Sequence, residues 1–191
     1  MGRRRSQDRR EDRQTDRGAG VGPQTGASGP TRYKVRQNML SIGQDFWIET
    51  ESGQKAYKVD GKAVRVRSTL LFEDAQGREL YKIQEKIARV RDTMDIDDAS
   101  GNTAAKVHNA MVTPLRDRWQ IDIPGGQNIV AQGNILDHEY KIERGGRKIA
   151  EVSKKWFRVR DMYGVEVYES QDAALALMIA IVIDMMAHAG R

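Results

Sequence analysis

The chain has 191 residues, with 32 Lys or Arg, 27 Asp or Glu and a formal net charge of +5. That length suits one ordinary domain with a sizeable core. The sequence has no Cys, which excludes a disulfide scaffold, a thiol nucleophile and a Cys-ligated zinc or iron–sulfur site. The three histidines, His108, His138 and His188, are too scattered along the sequence to predict a His-rich metal site.

Residues 1–31 differ in composition from the rest of the chain. They are rich in Arg and then in Gly, Pro and Ser, and residues 1–30 carry a net charge of +3 against +2 for the remainder. With no apolar periodicity, they predict a disordered arm and linker ahead of a single domain at 32–191. The arm is either a solvated tail or a contact for a polyanion, and nucleic acid is expected to bind only there. No apolar segment follows the arginines, so we expect no signal peptide and a cytoplasmic protein.

A repeat of 24 residues follows the arm. Its members are Tyr33-Lys34-Val35, Tyr57-Lys58-Val59, Tyr81-Lys82-Ile83 and Ala105-Lys106-Val107, with glycines in the same step at Gly53, Gly77, Gly101 and Gly125. Each unit alternates apolar and polar residues and then reaches a Gly-containing turn, which predicts two strands per unit. Five to six units therefore predict a meander of ten to twelve strands, and a sheet this long removes its edges by closing into a barrel.

The C-terminal segment predicts a helix at about 172–188. Ala173 to Ile183 is uninterrupted apolar, and Asp184 is the first charge after it. A helix that is apolar on every face either spans a membrane or is fully enclosed. Spanning needs about 20 apolar residues, so we expect this helix to fill the barrel and expect no transmembrane segment.

The motif K-x-x-R-V-R occurs three times and supplies the candidate ligand site. Alternation in a strand, such as the one expected through AVRVRSTLLF, places the valines on the core face and both Arg of a motif on the outer face. The resulting basic ladder suits anionic lipid or phosphate. Its residues are Lys62, Arg65, Arg67, Lys86, Arg89, Arg91, Lys155, Arg158 and Arg160. In the alternative, these side chains pair with acids such as Asp60, Glu73, Glu85, Asp92 and Asp161.

Other constellations predict structural roles. The acidic run ahead of Gly101 lacks EF-hand ligand spacing and is expected to be a turn. His138, between two acids in an expected strand, is assigned a structural or cross-strand role, and Asp184 and His188 form an i,i+4 pair that can hydrogen-bond in the barrel mouth. Trp119, Trp156 and Phe157 are expected at strand positions, in the core or the barrel wall. With no P-loop, G-x-S-x-G or HExxH motif, we expect no catalytic residues, no cofactor and no metal.

The chain resembles the LURP-one-related proteins, which are similar to Tubby C-terminal domains and phospholipid scramblases. The resemblance rests on the apolar C-terminal helix with Asp184, on repeated D/E-x-x-G turns, and on Tyr33-x-Val35-x-Gln37, Asp137-His138-Glu139-Tyr140, Ser153-Lys154-Lys155-Trp156-Phe157 and Asp161-x-Tyr163-Gly164-Val165. It implies a mainly β fold: a closed antiparallel barrel of about 12 strands around a buried hydrophobic C-terminal helix. The segment from Asp161 to Glu166 has few acidic ligands, so the calcium response of scramblases is not expected here.

Three functions remain open. The first is a non-enzymatic binding domain that contacts anionic phospholipid headgroups through the K-x-x-R-V-R surface, at the periphery of a membrane. The second is a protein-interaction scaffold with no lipid role, whose Arg are all paired. The third, with the least support, is a scramblase-like lipid translocator.

Overall fold

The structure, a computed structural model, describes residues 29–36, 46–61, 63–64, 67–84, 93–112, 117–157, 161–168 and 173–188. Thirteen strands and one helix occur in these ranges. They are β1 (Thr31–Arg36), β2 (Phe46–Thr50), β3 (Lys55–Asp60), β4 (Ala63–Val64), β5 (Arg67–Asp74), β6 (Glu79–Gln84), β7 (Thr93–Asp98), β8 (Thr103–Val112), β9 (Asp117–Asp122), β10 (Ile129–Asn134), β11 (Glu139–Arg144), β12 (Arg147–Ser153), β13 (Met162–Val167) and α1 (Ala173–His188).

The sheet closes into a barrel of 12 antiparallel strands around α1, as the sequence predicted. Strands that are neighbours in the chain pair with each other from β1 to β3 and from β5 to β13. The ring closes because β13 pairs with β1 and β3 pairs with β5. Closure leaves no unpaired edge along these strands. The two-residue strand β4 adds a short hairpin to β5.

The barrel wall alternates apolar residues facing inward with polar residues facing outward. On the inner face, Val35 lies opposite Tyr163, and Val165 lies opposite Val152 on the next strand. All four side chains are buried. Cross-strand apolar pairs of this kind stabilise a sheet that has one face on the core.

The helix α1 occupies the centre of the barrel. Nine consecutive residues, from Leu177 to Met185, are buried, so no face of this stretch reaches solvent. The sequence prediction of an enclosed helix is confirmed. Within the described residues, no helix has the length and apolar character needed to cross a bilayer.

The repeated glycines form the turns at one end of the barrel. Gly53, Gly77, Gly101 and Gly125 all have positive φ, between 68° and 86°, which side chains other than Gly rarely adopt. Asp98 accepts hydrogen bonds from the backbone N–H groups of Ser100 and Asn102, both at 2.9 Å. The acidic run ahead of Gly101 is therefore built into a turn, as expected.

Consecutive strands run in opposite directions, so the chain passes alternately between the two ends of the barrel. The strands flanking 51–54, 75–78, 99–102, 123–128 and 145–146 meet at one end, which we call the turn end. Those flanking 37–45, 61–66, 85–92, 113–116, 135–138 and 154–161 meet at the other. The helix starts at the turn end, just after β13, and finishes at the opposite end, the helix C-terminal end.

One strand expected from the sequence is wrong. Ala63 pairs with Ser68 and Val64 with Arg67, so the chain reverses direction between Val64 and Arg67. AVRVRSTLLF is therefore a hairpin followed by a strand, and strand alternation does not apply across the first K-x-x-R-V-R motif. The pattern was misleading because a short hairpin of alternating residues reads like one longer strand.

Candidate functional site at the helix C-terminal end of the barrel

The three K-x-x-R-V-R motifs are linked by topology. Each falls between strands that begin or end at the helix C-terminal end. Most of the candidate residues lie outside the described residues: Lys62, Arg65, Lys86, Arg89, Arg91, Arg158 and Arg160. Arg67 is the first residue of β5, and Lys155 follows β12.

Lys155 is the member of the set whose side chain is described. Its Nζ lies 3.2 Å from Glu139 Oε2, and its side chain is 80% exposed. Ser153 Oγ donates to the other oxygen of Glu139 at 2.9 Å. A pair this exposed contributes only about 0.2–1 kcal/mol, so an anionic ligand can compete with Glu139 for the ammonium group.

The sequence segments that connect the strands differ in formal charge between the two ends of the barrel. The six connections assigned to the helix C-terminal end contain ten Lys or Arg and five Asp or Glu. The five connections of the turn end, together with residues 168–172 before the helix, contain one Arg and three acids. In the sequence, the segments that join strands at the helix C-terminal end therefore sum to +5, and those at the turn end sum to −2. Leu136, the large apolar residue most exposed among those described, also lies at the positive end, at 38%.

A buried polar cluster lies just inside this end. His138 Nε2 is 2.6 Å from Asp184 Oδ1, and His188 Nδ1 is 3.1 Å from the same oxygen. The two imidazole rings stack with their centroids 5.3 Å apart. His188 Nδ1 also lies 2.9 Å from the backbone oxygen of Asp184, so the expected hydrogen bond within this pair is confirmed. The expectation that all three histidines are scattered is wrong, because the fold brings His138 next to Asp184 and His188.

Burial and hydrogen bonding act in opposite directions on Asp184. Burial alone would raise its pKa, but the hydrogen bonds from His138 and His188 outweigh it and hold the pKa below the ordinary value of 3.8. The carboxylate is therefore ionised inside the barrel mouth. Burial, and then the nearby Asp184 charge, raise the pKa values of Tyr140 and Tyr163 well above 10, so both phenols stay neutral.

His138 lies in a turn rather than in the expected strand. It has φ 54°, a backbone conformation that is uncommon for residues other than Gly. Its backbone N–H donates to the carbonyl of Ile135 at 3.0 Å, and Asn134 Oδ1 accepts from the N–H of Asp137 at 3.1 Å. The turn directs the imidazole of His138 inward, where the side chain is 2% exposed.

An aromatic patch covers part of the outer wall. Trp156 and Phe157 follow β12 instead of lying within a strand, which corrects the sequence prediction, whereas Trp119 lies in the core at 3% exposure. The Arg32 guanidinium lies 5.0 Å from the ring centroid of Trp156, and Lys34 Nζ lies 5.4 Å from that of Phe157. These cation–π contacts fix the two rings against β1.

Comparisons with known proteins agree with this architecture. An X-ray structure of a protein from Arabidopsis thaliana is similar, with a TM-score of 0.63 over 85% of this chain and 94% of that one, at 13% identity. That likeness shows the shared fold. No curated protein matches the sequence. The family model described as LURP-one-related matches residues 31–184, which is most of the chain and all of the barrel strands. The chain therefore belongs to the LURP-one-related family.

Proposed function

We propose that the protein is a non-enzymatic binding domain whose helix C-terminal end contacts anionic phospholipid headgroups. The observation that carries this proposal is the difference in charge between the two ends of the barrel, +5 against −2 in the connecting segments. A basic residue close to an anionic bilayer contributes about 1 kcal/mol to binding. Several such residues at one end would orient the barrel with α1 along the membrane normal.

The proposed contacts are the K-x-x-R-V-R residues together with Leu136. Lys155 is exposed and weakly paired, so a phosphate oxygen can replace Glu139 as its partner. Leu136 offers an exposed apolar side chain in a turn at the same end of the barrel. Basic residues next to an exposed apolar residue are typical of surfaces that rest on the headgroup region.

A protein-interaction scaffold is the second candidate. Basic and acidic side chains alternate on the described barrel wall, as in Arg32 with Glu166 at 2.8 Å and Lys106 with Asp95 at 3.8 Å. Because wall charges of this kind are paired, their net electrostatic attraction to an anionic lipid surface is small. They would favour a partner that recognises the shape of the wall, such as another protein. A lipid translocator is the third candidate and draws only on the resemblance to scramblases.

Vesicle co-sedimentation tests the lipid proposal. The full chain and a chain starting at Thr31 are mixed with phosphatidylcholine vesicles, with or without phosphatidylserine, over a series of salt concentrations. We expect salt-sensitive binding to the anionic vesicles by both proteins. The shorter chain separates the barrel from the Arg-rich arm, because it lacks residues 1–30.

A matched pair of triple variants locates the surface. The first replaces Arg65, Arg89 and Arg158 by Ala at the helix C-terminal end. The second replaces Lys55, Arg78 and Arg147, all exposed at the turn end, and removes the same charge. At about 1 kcal/mol for each residue, we expect the first variant to bind roughly 100-fold more weakly and the second to change little. Equal losses would show attraction by net charge alone, and no binding by either chain would leave the scaffold as the better candidate.

A further inference from the structure

The cluster of His138, Asp184 and His188 has the composition of a cation site. It offers two imidazole nitrogens and one carboxylate, and these ligand atoms lie within 4.8 Å of one another. Asp184 and His188 are four residues apart on one face of α1, which is the spacing by which a helix presents two ligands to one ion. The third ligand comes from a different element, the turn after β10.

The electrostatics of the cluster favour a positive charge. Asp184 is buried in the last turns of α1, close to the carbonyl end of the helix dipole. A carboxylate at this position interacts unfavourably with the partial negative charge at the carbonyl end of the helix. A cation is stabilised both by the carboxylate and by that partial charge. A buried carboxylate is destabilising unless it is paired, and a bound cation would pair it.

We propose that His138, Asp184 and His188 bind one divalent transition-metal ion of the zinc class. Two imidazoles and a carboxylate are the donor set of three-ligand zinc sites, in which water completes the coordination. Calcium and magnesium are disfavoured, because they require mostly oxygen ligands. The His188 side chain is 18% exposed, whereas the other two are 2% exposed, so the ion would enter from the side of His188.

The surroundings of His138 accommodate the change that metal binding requires. When His138 binds through Nε2, the ring proton resides on Nδ1, which needs an acceptor. Nδ1 is buried and has no hydrogen-bond partner among the described residues, and the same holds for the hydroxyl of Tyr163. The two rings are in contact, with centroids 4.5 Å apart. The Tyr163 hydroxyl, on the ring that packs against His138, is therefore the candidate acceptor for the Nδ1 proton, outside the metal ligands.

The test is metal binding by the full chain without a polyhistidine tag. Zinc is added in equilibrium dialysis and counted by elemental analysis, and cobalt(II) is added in a separate titration followed by its visible absorption. We expect one ion per chain, visible cobalt bands typical of tetrahedral coordination, and a higher melting temperature with zinc. His188→Gln and Asp184→Asn should each weaken binding at least tenfold.

His108→Gln is the matched control. His108 lies on β8 with Asp122 as a neighbour, its Nδ1 3.7 Å from Oδ2, and takes no part in the cluster. This variant should bind zinc like the original chain. Circular dichroism confirms that each variant is folded, and His188, the most exposed ligand, is the one whose replacement disturbs the core least. A stoichiometry near zero, or equal affinity in the His108 and His188 variants, would overturn the proposal and leave a hydrogen-bonded cluster that binds no metal.

Discussion

His138 Nε2 and Asp184 Oδ1 are 2.6 Å apart, although 46 residues separate them in the sequence. Their contact joins the turn after β10 to the end of the central helix, and both side chains are 2% exposed. This buried polar contact thus ties the closed wall to the helix within it at the helix C-terminal end. Elsewhere along its buried stretch the helix packs mainly through apolar side chains.

Replacing His138 should reveal two opposing effects. His138→Ala removes a partner of the buried Asp184 and should cost about 3–5 kcal/mol, because it leaves a carboxylate with fewer hydrogen bonds. His138→Gly loses the same contact but relieves the backbone at φ 54°. The Gly variant should therefore be more stable than the Ala variant by roughly 0.5–1 kcal/mol. Urea unfolding measures both, and an Ala variant as stable as the Gly variant would show that the turn stores no backbone strain.

A double-mutant cycle should show that the contact is cooperative. Asp184→Asn and His138→Gln are made singly and together, and their free energies of unfolding are compared. We expect a coupling energy of about 0.5–3 kcal/mol, as is usual for residues in direct contact. The pair Asp184→Asn and His108→Gln is the control and should be additive, because His108 contacts neither partner of the cluster.

The architecture could be predicted from the sequence, whereas the polar cluster could only be predicted in part. Period-two alternation and the apolar segment from Ala173 to Ile183 predict the barrel and its helix, because each pattern has one low-energy way of burying its apolar face. The i,i+4 relation of Asp184 and His188 follows from helix geometry alone. His138 was missed because its place in the cluster depends on the pairing of distant strands.

One local signal could have placed His138 in a turn. Asn134 and Asp137 are three residues apart, and Asn134 Nδ2 donates to Asp137 Oδ2 at 2.7 Å. Asn and Asp at this spacing are typical of turns. Strand alternation, applied to Asp137-His138-Glu139, predicts only that His138 faces away from both neighbouring acids. Gly133, at φ 147°, is a second local signal just ahead of this turn, because a Cβ there would lie 2.5 Å from the carbonyl oxygen of Glu139.

Acid should weaken the turn that Asp98 caps. The backbone N–H of Asn102, and then that of Ser100, hold the pKa of Asp98 below its ordinary value of 3.8. A carboxyl whose pKa is depressed by folding stabilises the native state above its unfolded pKa, and this contribution is lost as the pH falls through the folded pKa. Asp98→Asn should thus destabilise the protein at pH 7, with the difference shrinking below about pH 4.

Thermal unfolding from pH 7 to pH 3 measures this difference. Asp74 is the equivalent residue one hairpin earlier, and the N–H of Arg78 likewise lowers its pKa. Asp74→Asn should follow the same pH dependence. A gap in melting temperature that stays constant down to pH 3 in both variants would show that the carboxylates do not act through their charge.

Gly164 should tolerate no side chain. A Cβ at this position would lie 2.7 Å from Cε3 of Trp156 and 2.9 Å from Cε2 of Phe157. Gly164→Ala must therefore push both rings off the outer face of β13, and overpacking of this kind costs about 1–3 kcal/mol. We expect a fall of roughly 2–10 °C in melting temperature, and a red shift in Trp fluorescence as the Trp156 ring moves toward water. Gly29→Ala, where a Cβ would meet nothing within 4 Å, is the control and should leave both quantities unchanged. If Gly164→Ala behaved like this control, the two rings would not be packed on β13 in solution.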